Sequence, residues 1–115
     1  MKYVLDWIFD QSLIASNSIT QTDRDIYLKS YDSIDGIRAS NGWYQAFARD
    51  IEDSKTYNKI KLPVLGIAAS GYDMLKQSLA STTANFKMVK IEDSGHFLTA
   101  EKPKQMADVM IDFLR

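Results

Sequence analysis

The 115-residue sequence contains no cysteine, two prolines, five glycines and a single histidine. The absence of cysteine excludes disulfides, thiolate metal sites and a cysteine nucleophile. No apolar run approaches the ~20 residues of a membrane span, and residues 1–9 lack the basic start and uninterrupted apolar core of a signal peptide. With 14 basic and 15 acidic side chains the net charge is -1, which gives no electrostatic reason to expect nucleic acid or a membrane as partner. These absences fit a cytoplasmic protein of at most one domain, with neither cofactor nor metal.

The N-terminal half carries three runs with apolar residues at helical spacing. The first covers residues 2–12 and presents a wide apolar face, and a polar loop follows it. The second begins at a sequence that resembles a capping box, with Thr22 followed by Asp25, and ends near Tyr31. After a predicted turn over residues 33–36, the longest helix runs to about residues 50–54. Its apolar positions are Ile37, Tyr44, Phe47, Ala48 and Ile51.

The C-terminal half predicts a parallel strand–helix–strand–helix unit, and therefore an α/β fold class. Two short apolar runs, Pro63–Ile67 and residues 86–91, are separated by a helical segment over residues 71–82, a spacing typical of parallel strands joined by a helix. A last amphipathic helix is expected over residues 101–114. The polar connector near residue 58 divides the chain into a helical segment, 1–58, and the α/β unit, 59–115.

Two residues with useful chemistry follow the predicted strands. Asp73 comes after the first strand and His96 after the second, and ligands of parallel sheets bind beyond the carboxyl ends of the strands. A lone histidine in a turn can have a purely structural role, and an aspartate in a first helical turn is favoured by the helix dipole alone. Glu92 and Asp93 lie beside His96 and are weaker candidates for a carboxylate that orients it.

The strand Pro63-Val-Leu-Gly-Ile67, an acid shortly after it, the turn Gly95-His-Phe97 and a closing helix after Glu101-Lys-Pro103 together resemble the C-terminal end of an α/β-hydrolase. The similarity is to the epoxide hydrolases and the haloalkane dehalogenases. This resemblance implies that His96 is the catalytic base and that Asp73 is the acid that orients it. It also implies that residues 1–58 correspond to the helical cap.

Within that segment, Asn41-Gly-Trp-Tyr44 resembles the cap helix of epoxide hydrolases. The resemblance implies that Tyr44 donates its phenol O–H to the epoxide oxygen and that Trp43 lines the same pocket. The family often has arginine at the next position, where this chain has Gln45. The alternative is that Tyr44 is a core aromatic residue of an amphipathic helix.

The string Gly-x-Ser-x-Gly, or its form with Asp in place of Ser, is absent, and so is an early His-Gly run that would form an oxyanion hole. An α/β-hydrolase requires both. We therefore expect a fragment of a hydrolase for epoxides, carbon–halogen bonds or esters of small apolar substrates, inactive alone. We also expect a homo-oligomer or a complementing N-terminal half. The alternative is a non-catalytic interaction module that uses its exposed sheet edge and the apolar face of residues 2–12.

Overall fold

The computed structural model describes all residues, 1–115. Contacts between residues divide the chain into two compact units. The helical unit comprises Met1–Gln11 and Ile19–Tyr57, and the α/β unit comprises Ser12–Ser18 and Asn58–Arg115. The segment Ser12–Ser18 therefore belongs to the α/β unit, although it lies between two helices of the helical unit in sequence.

Three helices form the helical unit: α1 (Lys2–Ser12), α2 (Gln21–Tyr31) and α3 (Ile34–Ser54). Phe9 and Ile19 are its buried apolar side chains. The Tyr27 ring lies 5.3 Å from the Phe9 ring, centroid to centroid, and the Arg24 guanidinium lies over the Phe9 ring, 5.3 Å from its centroid. Arg24 also pairs with Asp6 at 3.1 Å and with Asp10 at 2.7 Å, so this one side chain connects α1 and α2.

Two helix starts differ from the sequence prediction. The capping box of α2 is formed by Thr20 and Asp23: the Asp23 N–H donates to Thr20 Oγ1 at 3.3 Å, and the Thr20 N–H donates to Asp23 Oδ2 at 2.8 Å. The predicted start at Thr22 was wrong because Thr20 offers the same Thr-x-x-Asp spacing one half-turn earlier. The predicted turn over 33–36 was also wrong, since Ser33 caps α3 by accepting the Gly36 N–H at 2.9 Å.

The α/β unit contains β1 (Val64–Ala68), α4 (Tyr72–Thr82), β2 (Phe86–Lys90), α5 (Leu98–Glu101) and α6 (Pro103–Leu114). The two strands are parallel, and their register pairs Val64 with Phe86 through Ala68 with Lys90. An isolated bridge between Ile60 and Thr83 precedes them. The predicted α/β fold class and the parallel strand–helix–strand–helix order are confirmed. The predicted last helix, residues 101–114, corresponds to α6 and begins two residues later, at Pro103. The short helix α5 before it was not predicted.

Small residues allow close packing around the sheet of the α/β unit. A Cβ atom on Gly66 would overlap the Met88 sulfur and the Leu79 side chain, so glycine lets β2 and α4 approach β1. Ala68, Ala69 and Ile91 are the buried apolar residues of this unit, and Ile91 is 1% exposed. The core therefore lies at the carboxyl ends of the two strands. None of the helices in either unit is long and apolar enough to span a membrane.

Candidate functional site

The candidate site lies where the strands end. Ile91 directly follows β2, and its N–H donates to the Ala68 carbonyl at 2.9 Å, which holds the start of the following turn against the end of β1. Glu92 then pairs with Lys90 at 3.0 Å, at the surface. Asp93 has a φ of 52°, a left-handed conformation that aspartate tolerates better than most residues. From Asp93 the chain continues through Ser94 and Gly95 to His96.

Glu101, the last residue of α5, accepts three backbone hydrogen bonds. Its Oε2 accepts the N–H groups of Ile14 at 2.8 Å and Ala15 at 2.9 Å, and its Oε1 accepts the Gly95 N–H at 2.8 Å. A fourth bond runs beside them, from the His96 N–H to the Ser12 carbonyl at 2.8 Å. The segment Ser12–Ser18 is thereby joined to the turn that carries His96.

These bonds determine the charge state of Glu101. Burial alone would raise its pKa, but hydrogen bonds from the N–H groups of Ala15, Ile14 and Gly95 outweigh burial, so the pKa is lowered from its usual value. The Ser94 hydroxyl also lowers the pKa. Its Oγ is buried without a partner in hydrogen-bonding geometry, so it acts on Glu101 as a nearby dipole. Glu101 is therefore a carboxylate at neutral pH.

The imidazole of His96 is exposed and makes no hydrogen bond. Its ring packs edge-on against Phe97, with centroids 5.4 Å apart and planes at 89°. Asp73 lies in the first turn of α4, exposed and without a hydrogen bond or ion pair. The structure places both residues just beyond neighbouring parallel strands, but no hydrogen bond joins them.

The two residues predicted to bind substrate lie in the helical unit. Trp43 and Tyr44 are on α3 and are 74% and 71% exposed. The Tyr44 ring contacts Phe47, with centroids 5.3 Å apart. Tyr44 is therefore not a buried core residue of the helical unit, and its phenol oxygen makes no hydrogen bond within this chain. No cluster of three or more His, Cys, Asp or Glu side chains is arranged to hold a metal ion.

Solved structures resemble the whole chain. Cfl2 from Burkholderia cenocepacia superposes with a TM-score of 0.92 at 26% identity, over 99% of this chain and 40% of that chain. The epoxide hydrolase CorEH, solved without ligand, superposes with a TM-score of 0.82 at 22% identity, over 99% of this chain and 42% of that chain. The chain has the fold of part of an α/β-hydrolase. It spans about two fifths of the length of these two structures, which is consistent with the C-terminal part of such a fold.

Comparisons of the sequence with family models and with curated proteins give no match. No family model matches the sequence, and no curated protein matches it significantly. The likeness is therefore carried by the structure.

Sequence reasoning missed one residue of this site. Glu101 was part of the string Glu101-Lys-Pro103 that carried the resemblance, but it was read only as the start of the closing helix. The sequence pattern that could have identified Glu101 is an acidic residue two positions before Pro103 and shortly after the turn Gly95-His96. Its hydrogen-bond donors, Ile14 and Ala15, lie more than 80 residues away in sequence, and no local pattern identifies them.

Proposed function

We propose that this chain is the C-terminal part of an α/β-hydrolase whose intact form hydrolyses an epoxide, a carbon–halogen bond or an ester in a small, largely apolar substrate. The observation that supports this most strongly is the superposition of the whole chain on Cfl2 and on the epoxide hydrolase CorEH, together with an exposed histidine beyond the end of β2. The nucleophile and the oxyanion hole are supplied by residues outside this sequence.

In this proposal His96 is the general base. Its imidazole takes a proton from the attacking water, or from a serine nucleophile. The proton then passes to an alkoxide leaving group, or to solvent where a halide leaves as the anion. Asp73 follows the neighbouring strand at the same edge of the sheet. We assign it the role of accepting the other ring N–H of His96, which selects the tautomer and stabilises the imidazolium. The absence of a bond between them in this structure is compatible with that role, since catalytic hydrogen bonds are often formed only in the complex with substrate.

Trp43 and Tyr44 are proposed to bind substrate. The Tyr44 phenol O–H donates to the epoxide oxygen as the ring opens, or to a departing halide, and the Trp43 ring provides an apolar wall. The exposure of both side chains and the unpartnered phenol support this assignment. An intramolecular partner for the phenol would have competed with substrate.

The first test is hydrolysis by the 115-residue chain itself. We expect no turnover with a panel of epoxides, haloalkanes and esters, because loss of one triad member leaves only about 10³–10⁴-fold catalysis over water, and here the oxyanion hole is missing as well. Turnover that His96→Ala abolishes would contradict the proposal, since it would require a nucleophile within this sequence.

The second test reads the DNA upstream of the Met1 codon. We expect an open frame that encodes Gly-x-Asp-x-Gly or Gly-x-Ser-x-Gly, and we expect the extended protein to hydrolyse at least one substrate of the panel. His96→Ala should then remove activity, while Asp108→Asn, which alters only an exposed pair with Lys104, should not. Full activity in extended His96→Ala protein would overturn the assignment of the base.

A second role, association with another copy of the chain, is favoured by the two-stranded sheet, whose outer edges lack strand partners. Such edges, together with exposed Tyr3 and Trp7 on α1, suit pairing with a second copy of the chain. We propose that the isolated chain is a homo-oligomer. Size-exclusion chromatography with light scattering should give a mass above 13.1 kDa, and a stable monomer at micromolar concentration would contradict this.

A further inference from the structure

We propose that Glu101 is a positioning residue for His96: its carboxylate fixes the turn that carries the histidine. The catalytic consequence rests on the proposed function, whereas the structural consequence can be measured on the chain alone. Glu101 makes no hydrogen bond or ion pair with the imidazole. It acts through the backbone of Gly95, the residue before His96, and through the segment Ser12–Ser18.

The number of backbone N–H donors around residue 101 explains why its side chain must be a carboxylate. Three N–H groups point at its two oxygens, two at Oε2 and one at Oε1. A glutamine has one acceptor oxygen and one NH₂ group. In either orientation of the amide, at least one backbone N–H would face a donor. Only an ionised carboxylate satisfies all three, and hydrogen bonds to a charged group are stronger than neutral ones.

The donors come from two places that must remain adjacent. A Cβ atom on Gly95 would overlap the Ser12 carbonyl oxygen and crowd the Glu101 carboxylate and the Ile14 nitrogen. Glycine at this position therefore lets the backbone of Ser12–Ser18 lie directly against the turn. The Ser12 carbonyl in turn accepts the His96 N–H. His96 is held through its own N–H and through that of the preceding residue, and Glu101 secures both attachments.

Because the imidazole is exposed, the backbone hydrogen bonds of Gly95 and His96 are more important for its position. The ring has Phe97 as its aromatic neighbour and no hydrogen-bond partner, so side-chain contacts determine little of its position. The backbone network determines where the Cα of His96 lies relative to the strand ends. A general base must be within hydrogen-bond reach of the proton that it takes, and a displacement of about 1 Å costs about 10²-fold in rate.

The test compares Glu101→Gln with wild type by amide hydrogen exchange followed by NMR. We expect exchange at His96, Ile14 and Ala15 to accelerate by about tenfold to a hundredfold. Exchange in the paired residues of β1 and β2 should change by less than about threefold. The control is Asp108→Asn, which should match wild type throughout. Unchanged exchange at His96 would overturn the proposal, as would equal acceleration across both strands, because Glu101 would then be a general structural residue.

If Glu101→Gln does not fold, Glu101→Asp decides the question. Aspartate keeps both acceptor oxygens and the charge, so we expect a folded protein in which His96 exchanges more slowly than in a disordered reference peptide. Loss of protection confined to His96, Ile14 and Ala15 would support the proposal, because the shorter side chain cannot reach all three donors. Wild-type protection at His96 in this folded variant would overturn it.

The catalytic consequence is measured on the extended hydrolase. We expect Glu101→Gln to lower kcat by about tenfold or more with KM nearly unchanged, since it displaces the base and not the substrate. An unchanged kcat would overturn the catalytic role of Glu101. If extended wild-type protein is inactive while the exchange result holds, the proposed function fails and the positioning of His96 stands.

Discussion

Both units contain exposed ion pairs, and they differ in what their partly buried carboxylates contact. In the helical unit, Asp6 pairs with Arg24, whose side chain is 14% exposed and also reaches Asp10. In the α/β unit, the Glu101 carboxylate is used on backbone N–H groups. A change at Glu101 therefore leaves three backbone N–H groups without this acceptor, whereas a change at Arg24 leaves two side-chain carboxylates without this partner.

The apolar cores differ as well. The helical unit buries Phe9 and Ile19, while large side chains such as Trp43 and Tyr44 remain exposed on α3. The α/β unit buries Ala68, Ala69 and Ile91 immediately beside the turn that carries His96. The candidate base is thus supported by a packed strand end, and the candidate substrate-binding residues lie on an open helix face.

The largest effect should come from Phe9→Ala. Phe9 is 3% exposed and contacts both Tyr27 and Arg24, and removal of a buried phenylalanine costs about 3–5 kcal/mol. We expect the amides of α1 and α2 to lose protection in hydrogen exchange while the β1–β2 amides keep theirs. Ile34→Ala, at a position 77% exposed in α3, is the control and should leave both sets unchanged. Equal loss in both units would show that they unfold together.

Gly95→Ala should destabilise the α/β unit by about 1–3 kcal/mol, because the added methyl group overlaps the backbone of Ser12. The matched control is Gly42→Ala in α3, where a Cβ atom has no neighbour within 4 Å. Alanine is favoured over glycine inside a helix, so this control should stabilise the protein by about 0.5–1 kcal/mol. Urea unfolding measures both, and a neutral Gly95→Ala would show that Ser12–Ser18 can move away from the turn.

Local patterns predicted the elements of both units. The strands, their parallel pairing, and helices α1 to α4 follow from apolar spacing and connection length, and the α/β-hydrolase resemblance supplied the fold. The short helix α5 and the attachment of Ser12–Ser18 to the α/β unit did not follow. The attachment depends on Glu101, whose donors Ile14 and Ala15 are distant in sequence, and hydrogen bonds between such distant residues leave no periodic signal.

For the candidate site, too, positions along the chain could be predicted from sequence, whereas side-chain contacts could not. His96 and Asp73 were placed correctly after neighbouring strands because strand ends can be read from sequence. Whether the two side chains meet stays a prediction, since rotamers at an exposed edge are set by partners rather than by local pattern. The role of Trp43 and Tyr44 likewise stays a prediction, although their exposure was foreseeable only in part from the amphipathic pattern of α3.

Thr20→Ala tests the helix cap of the helical unit and should cost about 0.5–2 kcal/mol. It removes the hydroxyl that accepts the Asp23 N–H. Thr22→Ala is the matched control at the position that the sequence favoured: Thr22 lies inside α2, where alanine is a better helix former, so its effect should be within about 0.5 kcal/mol. Thermal unfolding compares the two variants. A larger loss in Thr22→Ala would contradict the capping box seen at Thr20.

The smallest effect is expected in the pH dependence of stability, because it arises from the titration of single carboxylates. The pKa of Glu101 is lowered in the folded chain, so the unfolded chain binds more protons in the window below the ordinary Glu pKa of about 4.3. The stabilisation by ionised Glu101 is therefore fully present above that value and is lost as pH falls through the lower, folded pKa.

Asp6 and Asp23 in the helical unit also have lowered pKa values, through hydrogen bonds from Lys2 and then Arg24, and from Thr20, respectively. They give wild type and Glu101→Gln the same acid sensitivity, so the difference in urea midpoint between the two proteins isolates Glu101. We expect that difference to be constant above the ordinary Glu pKa of about 4.3 and to shrink as the pH falls below it, since a protonated Glu101 resembles glutamine. A difference that also stays constant below that value would mean that the charge of Glu101 does not hold Ser12–Ser18 to the histidine turn.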